Sequence, residues 1–358
     1  MKELRLMKGN EAIAEAAIRA GADAYFGYPI TPQSEILEYL ADQNPAETTG
    51  MVVLQAESEV AAINMVYGAA CTGRRVMTSS SGPGISLMSE GISYLAGAEL
   101  PCLIVNVSRG GPGLGTIQPS QADYFQSVKG GGHGDYRLLV LAPASVQEMA
   151  DFTALGFELA FKYRNPVMIL SDGVIGQMME KVELPEFLPR KKEFESWATT
   201  GKTPDRERNI ITSLNLDALK HEQHNMKLQA KYRRMEEEET RYETFLCDDA
   251  EYIVVAYGAS ARICRKAVEL ARKQGIRAGL FRPVTLFPFP AKELKAATKN
   301  VKGLLSVEMN AGQMIEDVRL ATKCRIPVQH FGRYGGVVHT PEEILEAIKK
   351  WKSSIKKI

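Results

Sequence analysis

Short apolar runs alternate with segments of helical spacing along most of the chain, and this alternation predicts an α/β protein. In the first half, strands are predicted at 24–27, 51–54, 75–80, 102–107, 138–141 and 166–170. Helices are predicted between them at 9–20, 33–42, 56–71, 85–96 and 145–163. Because strands that alternate with helices form parallel sheets, we expect a doubly wound parallel sheet here.

The pattern changes at 183–248, where charge rises and glycine nearly disappears. A polar helix is predicted at 216–245, in a connector or partner-binding surface rather than a chemical site. The α/β alternation then returns, with strands at 253–257, 278–281, 304–307 and 328–331 and helices at 261–274, 313–323 and 341–352. The expected domains are 1–185, a charged linker at 186–248, and a smaller second parallel-sheet domain at 249–358.

Composition limits the class of protein. The 358 residues suffice for two domains, and 45% hydrophobic with 24% charged residues is typical of a globular protein. A net charge of +1 gives no argument for nucleic acid or an acidic membrane. We expect a cytoplasmic protein, because no apolar run reaches membrane-spanning length and the start of the chain has no signal-peptide core.

The five cysteines are scattered, without the spacing of a zinc site or an iron–sulfur cluster. We expect buried free thiols and no metal site in this chain. Any iron–sulfur clusters would have to lie on another chain.

The strongest chemical candidate is Glu59. The residues three, four, seven and eleven positions after it are apolar: Ala62, Ile63, Val66 and Ala70. A carboxylate at the start of a buried helix face is costly without a partner and is suited to proton chemistry. The alternative is that Glu57 and Glu59 only favour the helix N-terminus through the macrodipole.

The loop Tyr28-Pro29-Ile30-Thr31-Pro32 is stiffened by two prolines, and the second pushes Thr31 toward an extended conformation. Thr31 either caps the next helix or presents its hydroxyl to a ligand.

Residues 79–84 (SSSGPG) form a small-residue turn between a strand and a helix. The turn either offers backbone N–H groups to an anion or is merely tight. It is not a Walker A loop, because no Gly-Lys-Ser/Thr follows.

Arg109 follows the apolar strand 102–107, where open α/β sheets bind ligands, and it suits a carboxylate. The glycines at 110–115 have the wrong spacing for a dinucleotide fingerprint, and 116–121 does not open a helix. A nicotinamide cofactor is therefore weakly supported. In the glycine-rich loop 130–135, His133 is a possible proton donor, but a surface histidine is favoured.

Together, the segments 28–32, 57–59, 80–84 and 109–113 resemble the alpha-type subunit of thiamine-diphosphate-dependent 2-oxoacid:ferredoxin oxidoreductases. The resemblance covers nearly the whole chain, and 307–313 (VEMNAGQ) is similar to the transketolase-C-terminal-like domain of that family. The segments 55–68 and 113–125 resemble the branch that acts on 3-methyl-2-oxobutanoate (2-ketoisovalerate).

The resemblance implies that the first domain is of the pyrimidine-binding type, followed by the smaller transketolase-C-terminal-like domain. Glu59 matches the catalytic glutamate that hydrogen-bonds N1′ of the aminopyrimidine. Thr31 and Arg109 match positions that contact the oxo and carboxylate groups of the substrate. The other implied cofactor-binding residues are Pro29, Ile30, Ser81 and Gly82.

The implied reaction is oxidative decarboxylation of a branched-chain 2-oxoacid, with the acyl group passed to coenzyme A and electrons passed through iron–sulfur clusters to ferredoxin. Thiamine enzymes hold the diphosphate through Mg²⁺ with Gly-Asp-Gly and a later asparagine. The nearest segment, Ser171-Asp172-Gly173, has no such asparagine and is interpreted as a strand-end turn. A beta subunit should therefore supply the Mg²⁺ half-site and share the cofactor, and gamma and ferredoxin-like subunits are expected.

Three alternatives stay open at this point. The substrate is 2-oxoglutarate or another 2-oxoacid; the chain is a scaffold subunit that has lost its chemistry; or it is a self-sufficient nucleotide-binding oxidoreductase. The joint presence of Glu59, Thr31 and Arg109 argues against a scaffold.

Overall fold

Strands and helices alternate through most of the chain in a computed structural model that describes residues 3–190, 193–202 and 204–355. The strands are β1 Leu4–Lys8, β2 Ala24–Gly27, β3 Val52–Gln55, β4 Val76–Ser80, β5 Cys102–Ser108, β6 Leu139–Leu141, β7 Pro166–Asp172, β8 Met179–Glu183, β9 Tyr242–Phe245, β10 Tyr252–Val255, β11 Ala278–Pro283, β12 Thr285–Phe287, β13 Gly303–Glu308 and β14 Val328–Gly332. The helices are α1 Gly9–Arg19, α2 Ser34–Gln43, α3 Pro45–Thr48, α4 Glu59–Cys71, α5 Gly82–Gly97, α6 Tyr124–Val128, α7 Val146–Tyr163, α8 Gly173–Gln177, α9 Ala218–Glu238, α10 Gly258–Lys273, α11 Ala291–Ala297, α12 Met314–Ala321 and α13 Pro341–Ile355.

The first sheet has the order β12-β6-β7-β5-β4-β2-β3, and its pairs are parallel except that of β12 with β6. Helices cover both of its faces. Along β5, Ile104 packs into the apolar cluster that holds α4 and α5, whereas Leu103 and Val105 pack into the cluster that holds α1, α2 and α7. Such alternation is the period of a strand that is buried on both sides. The predicted doubly wound sheet is therefore confirmed.

The second sheet has the order β14-β13-β10-β11-β9, and its pairs are parallel except that of β9 with β11. Helices α10 and α13 cover one face, since their apolar residues share a cluster with Val254 of β10. Ile253 and Val255, the neighbours of Val254, face the opposite cluster with α12. The smaller α/β unit is thus also as predicted.

The helix predicted at 216–245 is wrong at its C-terminal end. Helix α9 ends at Glu238, and Tyr242–Phe245 forms the antiparallel edge strand β9. The ion pair between Arg282 and Glu243, at 3.0 Å, joins this strand to β11. Pairing with a distant strand therefore decides the structure of a segment whose charged composition favoured a longer helix.

Two pairings bring together parts of the chain that the sequence pattern keeps apart. The strands β1 and β8 form an antiparallel two-stranded sheet, with Leu6 opposite Lys181. Strand β12, which lies in the second half of the chain, extends the first sheet through the pairing of Thr285 with Leu141. The two predicted domains are therefore joined by strand pairing.

The cysteines differ in exposure. Cys102 and Cys264 are buried, which raises the pKa of both thiols, and Cys71 and Cys247 are half-buried. Cys324 is exposed, so the prediction of buried thiols is wrong for this residue. In the described ranges, none of the helices has the length and apolar character needed to cross a membrane.

Candidate active site

The predicted site residues meet at the carboxyl edge of the first sheet. The loop 28–33 follows β2, Glu59 lies shortly after β3, and Ser80 ends β4 and is followed by Ser81. Arg109 directly follows β5. Because parallel strands end at the same edge, the topology brings these segments together.

Glu59 is the first residue of α4, and its side chain is buried, with 6% of the residue exposed. Ser58 caps the helix by accepting the Ala61 amide at 3.2 Å. Glu57 precedes the helix and is exposed. The position of Glu59 in the first turn suits the macrodipole, as the alternative interpretation requires. Its carboxylate nevertheless has no hydrogen bond or ion pair with any described residue, and its oxygens stay open to solvent although the residue is largely buried.

Ser80 and Gly84 form the wall against which Glu59 lies. A Cβ atom at Gly84 would collide with Ser80 Oγ and would lie 2.6 Å from Glu59 Oε1. Helix α5 begins at Gly82, before the predicted start at 85, so residues 79–84 comprise the end of a strand and the first turn of a helix. The absence of a side chain at Gly84 therefore lets the carboxylate approach Ser80.

Arg109 is held by two backbone carbonyls. Its Nη1 donates to Thr31 O and its Nη2 to Leu114 O, each at 3.0 Å. Arg109 is buried, and its Nε has no partner within the described part of the chain. Thr31 itself is exposed and lies outside α2, which begins at Ser34 with Gln33 as its N-cap. The alternative in which Thr31 caps this helix is therefore wrong.

Asp123 is a neighbour of the site that the sequence pattern did not indicate. Asn106 Nδ2 donates to its Oδ2 at 3.0 Å. A Cβ at Gly82 would lie 3.7 Å from Asp123 Oδ2 and 3.9 Å from Cγ of Arg109. Burial raises the pKa of Asp123, against the opposing effects of Asn106, the Gly82 amide and the Arg109 charge. A carboxylate of the chain itself thus already lies at the start of α5, where an external anion was considered.

Gln121 connects this edge to the second sheet. Its Nε2 donates to Tyr257 O at 2.9 Å, and its Oε1 accepts from Ser260 Oγ at 2.8 Å. The Met309 amide donates to the same oxygen at 3.0 Å, and Asn310 Nδ2 donates to Gln121 O at 2.8 Å. The loop after Arg109 is therefore fixed by the second domain. A glutamine in a loop without periodicity gave no signal of this role.

Asp172 ends β7 and is engaged by backbone amides. Its Oδ1 accepts from Val174 at 2.9 Å and Ile175 at 3.3 Å, and its Oδ2 accepts from Ala259 at 3.4 Å. Burial raises the pKa of Asp172 to about 6, although these three hydrogen bonds oppose the shift. The segment 171–173 thus lies at the end of a strand, as predicted, but it leads directly into α8 with Asp172 as the N-cap instead of forming a turn. Among the residues described, no three His, Cys, Asp or Glu side chains gather as a metal site.

His133 is exposed, as favoured from the sequence. Its carbonyl accepts from Ser93 Oγ at 2.7 Å, and its ring meets the edge of Tyr94 with centroids 6.1 Å apart. The structure gives it no contact with Glu59 or Arg109.

Two family models match the chain in the order of its two sheets. The model for pyruvate flavodoxin/ferredoxin oxidoreductase, thiamine diphosphate-binding, matches residues 15–244, and that for pyruvate:ferredoxin oxidoreductase core domain II matches residues 250–344. The chain belongs to this oxidoreductase family. The prediction from the motifs at 28–32, 57–59, 80–84 and 109–113 is therefore confirmed.

Curated relatives of this family match end to end. The chain is 54% identical to ketoisovalerate oxidoreductase subunit VorB of Methanothermobacter thermautotrophicus, over 97% of each chain. It is 39% identical to 2-oxoglutarate synthase subunit KorA of the same organism, over 98% of this chain and 99% of the other.

Solved structures agree with this assignment. The 2-oxoglutarate:ferredoxin oxidoreductase of Magnetococcus marinus matches with a TM-score of 0.87 and 29% identity, over 98% of this chain and 65% of its own length. A split-gene transketolase matches with a TM-score of 0.61 and 14% identity, which shows the shared fold alone.

The residues at the sheet edge fit the polar ring of a thiamine-diphosphate cofactor. Buried polar atoms are almost always hydrogen-bonded in native proteins. At this edge of the sheet, however, four such atoms find no partner in the described ranges: Ser80 Oγ, Ser81 Oγ, Asn106 Oδ1 and Arg109 Nε. Unused donors and acceptors beside an unpaired carboxylate suit an aminopyrimidine, which carries both kinds of group.

Proposed function

We propose that the chain is the alpha-type subunit of an enzyme that converts 3-methyl-2-oxobutanoate, coenzyme A and oxidised ferredoxin to acyl-CoA, CO₂ and reduced ferredoxin. The observation that carries the proposal is that Glu59, a largely buried residue, has a carboxylate without a partner among the described residues at the same sheet edge as Arg109. The higher identity to the ketoisovalerate subunit than to the 2-oxoglutarate subunit supports the branched-chain substrate.

Glu59 would hold the pyrimidine ring of thiamine diphosphate by a hydrogen bond at N1′. When bound, the cofactor supplies the nucleophilic carbon and the electron sink of the decarboxylation. Ser80 Oγ, against which Glu59 lies, is free to donate to the carboxylate and keep it aimed at the ring. Ser81, Gly82, Pro29 and Ile30 are the proposed lining of the pyrimidine site, because they connect β4 to α5, begin α5 or lie in the loop after β2.

Arg109 would bind the substrate carboxylate. Each terminal nitrogen of a guanidinium carries two hydrogens, so both retain an N–H after donating to Thr31 O and Leu114 O. The planar fork then matches the two carboxylate oxygens. The exposed Thr31 would donate from its hydroxyl to the oxo group of the same substrate.

We propose that a beta subunit completes the site with the Mg²⁺–diphosphate half, and that gamma and ferredoxin-like subunits carry coenzyme A and the iron–sulfur clusters. The engagement of Asp172 by three backbone amides supports this division, because that carboxylate is already used as a cap. The relatives of similar length are named as subunits, which also supports a heteromeric complex. A cytoplasmic location stays a prediction from the sequence.

The test is an assay of the complex purified with its native partner chains. Coenzyme-A-dependent reduction of ferredoxin or a viologen dye is followed with 3-methyl-2-oxobutanoate, with and without thiamine diphosphate. Activity that requires both coenzyme A and thiamine diphosphate supports the proposal.

The same assay separates the alternatives. Activity with 2-oxoglutarate alone would keep the reaction and overturn the substrate. Full activity of a Glu59→Gln complex would remove Glu59 from the mechanism, whereas binding of nicotinamide dinucleotide by the chain would favour a nucleotide-binding enzyme.

A further inference from the structure

The loop 28–32 is attached to the protein through its backbone carbonyls. Arg109 Nη1 donates to the carbonyl of Thr31, and Asn10 Nδ2 donates to that of Pro32 at 2.7 Å. Gln177 Nε2 also donates to Pro32 O, at 3.2 Å. At the start of the loop, the carbonyl of Tyr28 accepts from Gln33 Nε2 at 3.0 Å.

Gln33 is fully buried and belongs to a series of hydrogen bonds in which each group donates to the next. Its Oε1 accepts from Ser79 Oγ at 2.6 Å, and Ser79 Oγ lies 2.7 Å from the Tyr25 hydroxyl. The bond to Tyr28 O fixes Nε2 as the donor end of the amide, so Oε1 must accept. The single proton of Ser79 therefore goes to Gln33, and Tyr25 donates to Ser79. Burial raises the pKa of Tyr25 to about 12, which keeps this donor protonated.

The backbone near these hydrogen bonds leaves room for the Tyr25 hydroxyl. Tyr25 and Gly27 lie on the same face of β2, and a Cβ at Gly27 would collide with the Tyr25 hydroxyl. Gln33 is the N-cap residue of α2, yet its side chain makes no capping bond. The amide group of Gln33 therefore hydrogen-bonds to the loop and does not cap the helix.

We propose that Gln33 is a positioning residue for Thr31, holding the loop 28–32 so that the Thr31 hydroxyl faces the substrate bound by Arg109. This inference rests on the proposed function. Gln33 anchors the first carbonyl of the loop, and Arg109 anchors the carbonyl of Thr31 itself. With Gln33 in place, only Pro29 and Ile30 lie between the two anchored residues, so the loop has little freedom.

The test compares four complexes with their native partner chains: wild type, Gln33→Met, Thr31→Ala and the double variant. Methionine keeps the length of the side chain and removes both hydrogen bonds. We expect each single variant to lower kcat/KM for the 2-oxoacid by about tenfold, and the double variant to be no worse than about the larger single loss. Gln43→Met, at the exposed end of the same helix, is the matched control and should leave the kinetics unchanged.

A Gln33→Glu complex adds a readout that general damage would not give. Ionised glutamate still accepts from Ser79 but sets a negative oxygen against Tyr28 O, whereas the protonated acid donates to it as glutamine does. Buried carboxyls protonate at unusually high pH, so the activity of this variant relative to wild type should rise between about pH 8 and about pH 6.

Two results would overturn the inference: wild-type kinetics in Gln33→Met, or losses that multiply in the double variant. A wild-type complex inactive with every 2-oxoacid would instead defeat the proposed function. In that case hydrogen exchange of the peptides covering 28–36 decides the matter, because anchoring by Gln33 requires faster exchange in Gln33→Met than in Gln43→Met. Equal exchange in the two variants would refute the role.

Discussion

Arg109 and Thr31 are joined through the backbone, since the guanidinium Nη1 donates to the carbonyl of Thr31 at 3.0 Å. Two segments predicted separately from the sequence, the loop after β2 and the residue after β5, thereby form one unit. The side chain that would bind the substrate carboxylate also sets the position of the hydroxyl that would meet the oxo group. A change at Arg109 should therefore affect both contacts.

Arg109→Lys tests this coupling. Lysine keeps the positive charge but has one nitrogen, so it cannot hold Thr31 O and Leu114 O together and still offer a fork to the substrate. We expect the KM for the 2-oxoacid to rise by about tenfold to a hundredfold, which corresponds to about one or two lost charged hydrogen bonds. Steady-state kinetics of the complex measure the effect. Arg233→Lys, on the exposed side of α9, is the control, and an unchanged KM in Arg109→Lys would contradict the assignment.

Glu59→Gln tests the proposed hydrogen bond to the pyrimidine ring. Glutamine matches the shape of glutamate but cannot exchange a proton with the pyrimidine ring as a carboxyl group can. Activity that depends on thiamine diphosphate should therefore fall by about a hundredfold or more, as it does when other preorganised groups are removed. Thermal stability should change little, because the carboxylate has no partner among the described residues to lose and only its interaction with the helix dipole is removed. Glu57→Gln, two residues earlier and exposed, should retain activity. Equal activities of the two variants would return Glu59 to the role of a helix-terminus charge.

The strands and helices with strong periodicity are those that the sequence predicted. Residues of β5 and α4 are apolar at the spacing that their burial requires, and Glu59 stood out as a carboxylate at the start of the apolar face of α4. The short strands β1, β8, β9 and β12 were not predicted. Each depends on a partner far along the chain, and three to five residues carry too little local preference to indicate it.

The polar supports of the site were missed for a related reason. Gln33, Gln121 and Asp123 lie in loops or at helix starts, where apolar residues have no regular spacing that a polar residue could interrupt. Their importance arises from partners on other elements, such as Ser79 on β4 and Tyr257 beside α10. Sequence reasoning therefore found the groups that would touch the ligands but not those that orient them.

Asp172→Asn should make stability less dependent on pH. The pKa of Asp172 is raised from its ordinary 3.8 to about 6, so the folded state binds a proton between these values that the unfolded state releases. The stability associated with the protonated carboxyl is present below about pH 4 and is lost as the pH rises through about 6. As the pH rises over this range, the free energy of unfolding of the variant should therefore increase relative to that of wild type, by up to about 3 kcal/mol. Urea unfolding of both proteins at a series of pH values measures the difference.

The matched control for this titration is Asp248→Asn, at an exposed carboxylate. Its difference from wild type should change much less over the same pH range. If the Asp172→Asn difference were equally flat, burial of Asp172 between α8 and α10 would not be the source of the effect.

Gly84→Ala should damage the site although alanine is the better helix former. The added methyl group would collide with Ser80 Oγ and press on Glu59 Oε1, so one of these side chains must move from the place where the pyrimidine is proposed to bind. We expect activity to fall by about tenfold or more, since a displacement of about 1 Å at a reacting centre can have an effect of this size or larger. The concentration of thiamine diphosphate needed for half of the maximal activity should rise.

Gly68→Ala is the matched control for Gly84→Ala, because it lies on α4, the helix that Glu59 begins, and a Cβ there meets nothing within 4 Å. Helix propensity alone should then stabilise the protein by about 1 kcal/mol without loss of activity. Assays of both variants at several thiamine diphosphate concentrations separate the two effects. If Gly84→Ala gained stability and kept full activity like Gly68→Ala, the close approach of Gly84 to Ser80 and Glu59 would not matter for function.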